Sequence, residues 1–125
     1  YKPIFESIQE EHFALVKHFI DVKTQAKAIA NLKVILNDLE EILYGVYLLW
    51  ELSPRTLDHI RTFGVRLMAQ VFTECLKQKG LLATCIETQH IIITSDDFGS
   101  AVPDMKVSTP QIKKTLSEEK YCNIY

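Results

Sequence analysis

Glycine is scarce in this 125-residue chain: Gly45, Gly64, Gly80 and Gly99 each stand alone. A phosphate cradle needs consecutive backbone N–H groups turned inward, a path that closely spaced glycines make possible. Neither G-x-G-x-x-G nor G-x-x-x-x-G-K-[ST] occurs, so no nucleotide loop is expected within the chain itself. Proline is equally sparse, at four residues, which excludes collagen-like and linker-rich material. The cysteines are Cys75, Cys85 and Cys122, an odd set with no C-x-x-C spacing. A disulfide framework would need an even set in a smaller chain, so a reducing cytoplasm is the expected setting. A basic surplus is also missing: 14 Lys and Arg stand against 16 Asp and Glu, for a net charge of −2. A nucleic-acid partner would need the opposite balance to displace counterions, and none is expected. Long apolar runs are absent too. The region from Ile42 to Trp50 carries Tyr44, Gly45 and Tyr47 and falls far short of the ~20 residues that span a bilayer. With no signal-peptide pattern at Tyr1-Lys2-Pro3 either, a soluble cytoplasmic protein with no membrane partner is expected.

What is present is the composition of an ordinary globular protein, 47% hydrophobic and 24% charged, in a length that suits one domain with a real core. Residues 3 to about 20 read as a helix, with Pro3 in its first turn and Ile8, Phe13, Val16 and Ile20 on an apolar face. Residues 24–51 read as one long helix. Ala28, Leu32, Ile35, Leu39, Ile42, Val46 and Leu49 recur there at spacings of four and three. That stripe serves either a core within the same protein or a partner helix. Ser53-Pro54 pairs an N-cap with a first helical residue, and the helix it opens runs to Lys79, closed by Gly80. Leu81 to Glu87 and Ile91 to Thr94 read as short strands and 95–100 as a loop; Thr109-Pro110 opens a short helix, and Tyr121 to Tyr125 return to strand. The expected class is therefore α/β and helix-rich, with long antiparallel helices followed by a few short strands. The final strand has nothing after it to pair its edge, so a piece of a longer protein is expected.

Most chemistry-bearing residues have plain structural readings. His12, His18, His59 and His90 form no H-E-x-x-H and no i,i+4 pair that could grip zinc. Cys75 falls on the inner face of a helix, where a free thiol acts as a small hydrophobe. Glu40-Glu41 fits a solvated helix face, whereas Asp96-Asp97, beside Gly99, suits either a ligand site or an Asx-type turn.

Three stretches in a fixed order say more. Glu51-Leu52-Ser53-Pro54-Arg55-Thr56-Leu57-Asp58 leads into Phe63-Gly64-Val65-Arg66-Leu67, and Ile92-Ile93-Thr94-Ser95-Asp96-Asp97-Phe98-Gly99-Ser100-Ala101 follows. This pattern resembles aspartate kinase, a member of the amino-acid kinase family, closely from about Tyr44 to Asp104 and more weakly elsewhere. The resemblance implies an internal part of a catalytic domain, residues 1–125 being one partial domain of an αβα sandwich. It further implies phosphoryl transfer from Mg–ATP to the side-chain carboxylate of L-aspartate, on the route to lysine, threonine and methionine. ATP and Mg would then belong to the parent protein and not to this chain, which should be inactive alone; a homo-oligomer stays open. The family's K-F-G-G-T, G-F-x-G and G-R-G-G-S-D motifs have no counterpart here.

What the resemblance leaves is the wall of an aspartate pocket, for which Arg66, Phe98 and Gly99 are the candidate lining residues. After Phe-Gly the family continues with Glu, which binds the substrate amino group, then Arg, Leu and Ser; this chain has Val65, Arg66, Leu67 and Met68. Val65 cannot supply a charge-assisted bond to an ammonium. Arg66 could equally serve a structural ion pair with Asp58 or Glu74. The rival class is a non-catalytic, kinase-derived helical module that binds a protein partner through the 28–49 stripe.

Overall fold

The computed structural model describes residues 1–118. Three long helices form the body: α1 (Lys2–Phe19), α2 (Val22–Leu49) and α3 (Pro54–Gln78). They run up, down and up. The ring of Tyr1, at the start of α1, lies 5.7 Å from that of Tyr47, near the end of α2. At the opposite end Gln78 of α3 bridges the α1–α2 turn, accepting from the Asp21 N–H (2.6 Å) and donating to the Phe19 carbonyl (3.2 Å).

The helix bounds follow from capping and periodicity. Ser53 holds an extended backbone (φ −70°, ψ 155°) and its Oγ accepts the Thr56 N–H at 3.1 Å, so an otherwise orphaned donor is satisfied. Trp50, in the left-handed region at φ 54°, ends α2. Gly80, at φ +79°, ends the α3 turn in a conformation that favours glycine.

The core is the expected stripe. Ala28, Leu32, Ile35, Leu36 and Leu39 of α2 are buried against Phe63, Leu67 and Val71 of α3 and Phe5 and Val16 of α1. Burial fades toward the end of α2: Ile42 and Val46 are half-buried and Leu49 is exposed. The 28–39 part of the stripe thus has its partner inside the chain, which removes that part from any partner surface.

The α/β expectation is overturned. The structure is 74% helical with 3% strand and no sheet among the described residues, so its class is all-α. Leu81–Glu87 and Ile91–Thr94 were expected as strands because they are apolar and β-branched, yet a strand also needs a neighbour to complete its ladder. The 81–94 segment instead runs as irregular chain with a single 3-10 turn at Thr88–His90. Among the described residues, one isolated antiparallel bridge, Thr94 with Pro103, links 91–94 to another extended residue. The strand expected over 121–125 lies outside the described residues.

The last helix, α4 (Met105–Glu118), starts earlier than Thr109-Pro110 would place it. Asp104 is the reason. Its carboxylate accepts the N–H groups of Lys106 (2.9 Å) and Val107 (3.3 Å), making it the better N-terminal anchor. Pro110 consequently falls inside the helix, where it lacks the donor for one intrahelical bond. Fully buried Ser108 ties α4 to the preceding chain: its Oγ accepts from Ile93 N–H (2.9 Å) and donates to Ile93 carbonyl (3.3 Å). No described helix is long and apolar enough to cross a membrane.

Candidate functional site

Once Ser53 and Pro54 have set the first turn of α3, Arg55 and Asp58 lie three residues apart and project from neighbouring positions on one face. Both reach the 95–102 loop. The Asp58 carboxylate accepts the backbone N–H of Gly99 through Oδ2 and, through Oδ1, a bond from Arg61 Nη1 at 3.4 Å. The Arg55 guanidinium lies over the Phe98 ring, 5.8 Å from its centroid, within range for a cation–π contact.

The loop is closed by its own backbone. Asp104 N–H donates to Ile93 carbonyl (2.8 Å), Ser95 N–H to Val102 carbonyl (2.9 Å), and Val102 N–H to Ser95 Oγ (3.1 Å). Inside it, Phe98 N–H meets the Asp96 carbonyl and Ser100 N–H the Asp97 carbonyl, both at 3.0 Å. These are backbone bonds of a turn and do not engage the Asp96 or Asp97 carboxylates. Gly99 takes φ +88°. A Cβ there would meet open space, so backbone conformation and not crowding favours glycine at this position.

Arg66 lies elsewhere on α3. It pairs with Glu87 (Nη2 to Oε1, 3.0 Å), and not with Asp58 or Glu74 as the sequence allowed. Either of those carboxylates is eight residues away along the helix, about 12 Å of rise, beyond side-chain contact. Each has another partner besides: Asp58 has Arg61 and the loop, and Glu74 has Lys77 at 2.9 Å. The Arg66 guanidinium also stacks over Phe63, 4.9 Å from its centroid.

The three candidate lining residues therefore divide. Phe98 and Gly99 come together at the start of α3, while Arg66 faces the 83–91 segment across an open cavity of about 440 Å³. Val65 borders the same cavity and is 73% exposed; Met68 and Phe72 continue an exposed apolar row. Sequence reasoning missed the link from Asp58 to Gly99. Asp58 was legible as a carboxylate near a helix N-terminus, and nothing local points to a loop 41 residues later. Glu87 was missed because its run read as a strand. No group of three or more His, Cys, Asp or Glu that could hold a metal occurs among the described residues.

No family model matches the chain. Individual relatives do. The chain is 29% identical to the aspartokinase of Candida albicans over 104 residues, 83% of this chain. Over 86 residues, 68% of the chain, it is 33% identical to the aspartokinase of Schizosaccharomyces pombe. Over 112 residues, 89% of the chain, it is 29% identical to the chloroplastic aspartokinase 2 of Arabidopsis thaliana. Those stretches cover 19%, 17% and 20% of the relatives, so the chain spans about a fifth of the length of the curated relatives it matches.

Proposed function

We propose, from the premise that this chain is an aspartokinase-like segment, that residues 1–125 are one internal part of a catalytic domain and contribute its amino-acid side. The whole protein would transfer a phosphoryl group from ATP to the side-chain carboxylate of L-aspartate, and this chain alone would not catalyse it. The observation that supports this reading is the meeting of two motifs. Glu51–Asp58 and Thr94–Ala101, the runs that resemble the family, touch through Asp58–Gly99 and Arg55–Phe98. Such a contact gives both runs a common purpose: α3 fixes the height and tilt of the loop that carries Phe98 and Gly99, the residues we assign to the pocket wall.

On this reading ATP and Mg are bound by the parent protein outside this chain, whose isolated glycines offer no closely spaced turn of the kind that commonly cradles nucleotide phosphates. The reading of a partner-binding module through 28–49 loses support, because Ala28 to Leu39 are buried against α1 and α3.

Val65 marks where this chain departs from the resemblance. A carboxylate at that position would add a charge-assisted bond to an amino group. In the longest native polypeptide containing the segment, Val65→Glu combined with Met68→Ser is expected to tighten L-aspartate binding about tenfold. Isothermal titration calorimetry checks this, and an unchanged affinity would remove Val65 from the account of the pocket.

A further inference from the structure

The outer face of α2, opposite its buried row, has a pattern that neither the core nor the aspartate reading explains. From Lys23 to Leu48, exposed positions recur at intervals of four and three, the spacing that holds one stripe of a helix against a neighbouring helix. Ala30, Val34, Tyr44 and Leu48 all stand exposed on this row.

The charges of α2 are sorted along its length. Lys23, Lys27 and Lys33 occupy its first half, and Asp38, Glu40 and Glu41 its second. A helix macrodipole favours the reverse order, acidic residues early and basic ones late. Yet α2 has no acidic residue in its first turn and no basic one in its last. α1 does not neutralise this gradient. It runs antiparallel to α2, so its Glu6, Glu10 and Glu11 lie toward the acidic half and its Lys17 toward the basic half. Among the described residues, none of these α2 charges enters an ion pair within the chain. Gly45 adds an independent observation. Glycine weakens a helix interior relative to alanine, but a Cβ at this position would meet nothing within 4 Å, so packing among the described residues does not ask for it.

We propose that α2 docks antiparallel on α2 of a second copy of this chain, about a two-fold axis crossing the helices between residues 35 and 36. Such an isologous pair sets the basic half of each helix against the acidic half of the other. Val34 then faces the partner copy's Asn37, and Lys23 lays its aliphatic stem on the partner copy's Leu48. Lys27 lies within one turn of the partner copy's Glu41, and Ala26 meets Gly45, a pairing small enough for the backbones to approach closely. A parallel pair would instead place Lys27 beside Lys27 and Glu41 beside Glu41. This face is separate from the 28–39 core stripe and from the Phe98–Gly99 loop, so the proposal stands independently of the aspartate reading.

Zero-length carbodiimide cross-linking of the longest native polypeptide containing the segment tests this, with isotopically light and heavy protein mixed before reaction. Within one copy Lys27 and Glu41 are about 21 Å apart along the helix, too far to join, so a link between them must pass between copies. The expected product is a Lys27–Glu41 link in mixed-isotope form. Lys27→Glu is expected to weaken self-association at least about tenfold in sedimentation, and Lys27→Glu combined with Glu41→Lys to restore it. Because the cross-link forms in the unaltered protein, the proposal is tested even where a variant does not fold. Absence of the mixed-isotope link, as when another part of the parent protein covers this face, would overturn it. So would a folded charge-swap variant that fails to regain association.

Discussion

Replacing Phe63 by alanine is expected to lower the unfolding free energy by about 3–5 kcal/mol. That is a large part of the stability of any domain this size, about 5–15 kcal/mol. Phe63 is 1% exposed and sits where the buried rows of α1, α2 and α3 meet. Its ring also contacts His59 edge-on at 5.3 Å and underlies Arg66. Truncation would thus open a cavity in the core and release the guanidinium that faces Glu87. Urea denaturation monitored by circular dichroism should show a lowered midpoint with an unchanged m-value. A loss under about 1 kcal/mol would mean that the three helices do not share this core.

Asp58→Ala is expected to free the 95–102 loop without unfolding the helices. Its carboxylate is the tie from α3 to the Gly99 amide, across 41 residues of chain. The side chain is 32% exposed, so the charge-assisted bond is taken at the low end of its range, about 1.4 kcal/mol or tenfold in opening. Hydrogen exchange should accelerate about tenfold at Gly99 while Leu67 and Val71 in α3 keep their protection. Asp58→Asn retains an acceptor and should fall between. Unchanged exchange at Gly99 would separate the two motifs; acceleration throughout α3 would reduce Asp58 to a helix-stabilising residue.

The helices were legible in the sequence because each carries two independent signals. In α3, the Ser53–Pro54 cap, the apolar positions from Phe63 to Val71 and the closing Gly80 agree on one element. The 81–94 segment carries only one signal, apolar and β-branched composition, which serves burial in irregular chain as well as pairing in a sheet. Ala83 is buried and Ile86, Ile91 and Ile92 half-buried without a described ladder between them. α4 was misplaced for a similar reason: Thr109-Pro110 is a sound start signal, but Asp104 is one turn earlier and wins by capping two N–H groups.

At the candidate site, the motifs singled out residues and left their arrangement open. Phe98 and Gly99 share the loop that Asp58 and Arg55 hold, whereas Arg66 stands with Glu87 on another part of α3. A one-dimensional match cannot separate these, since α3 runs on by about 12 Å between Asp58 and Arg66. Only the path of the chain after α3 decides which residue each one meets.

The most direct measurement is ATP-dependent formation of aspartyl phosphate, trapped as the hydroxamate, by the longest native polypeptide that contains this segment. The account predicts turnover that requires both ATP and L-aspartate, and none from the 125-residue chain alone. No turnover by a folded polypeptide that binds ATP would contradict it.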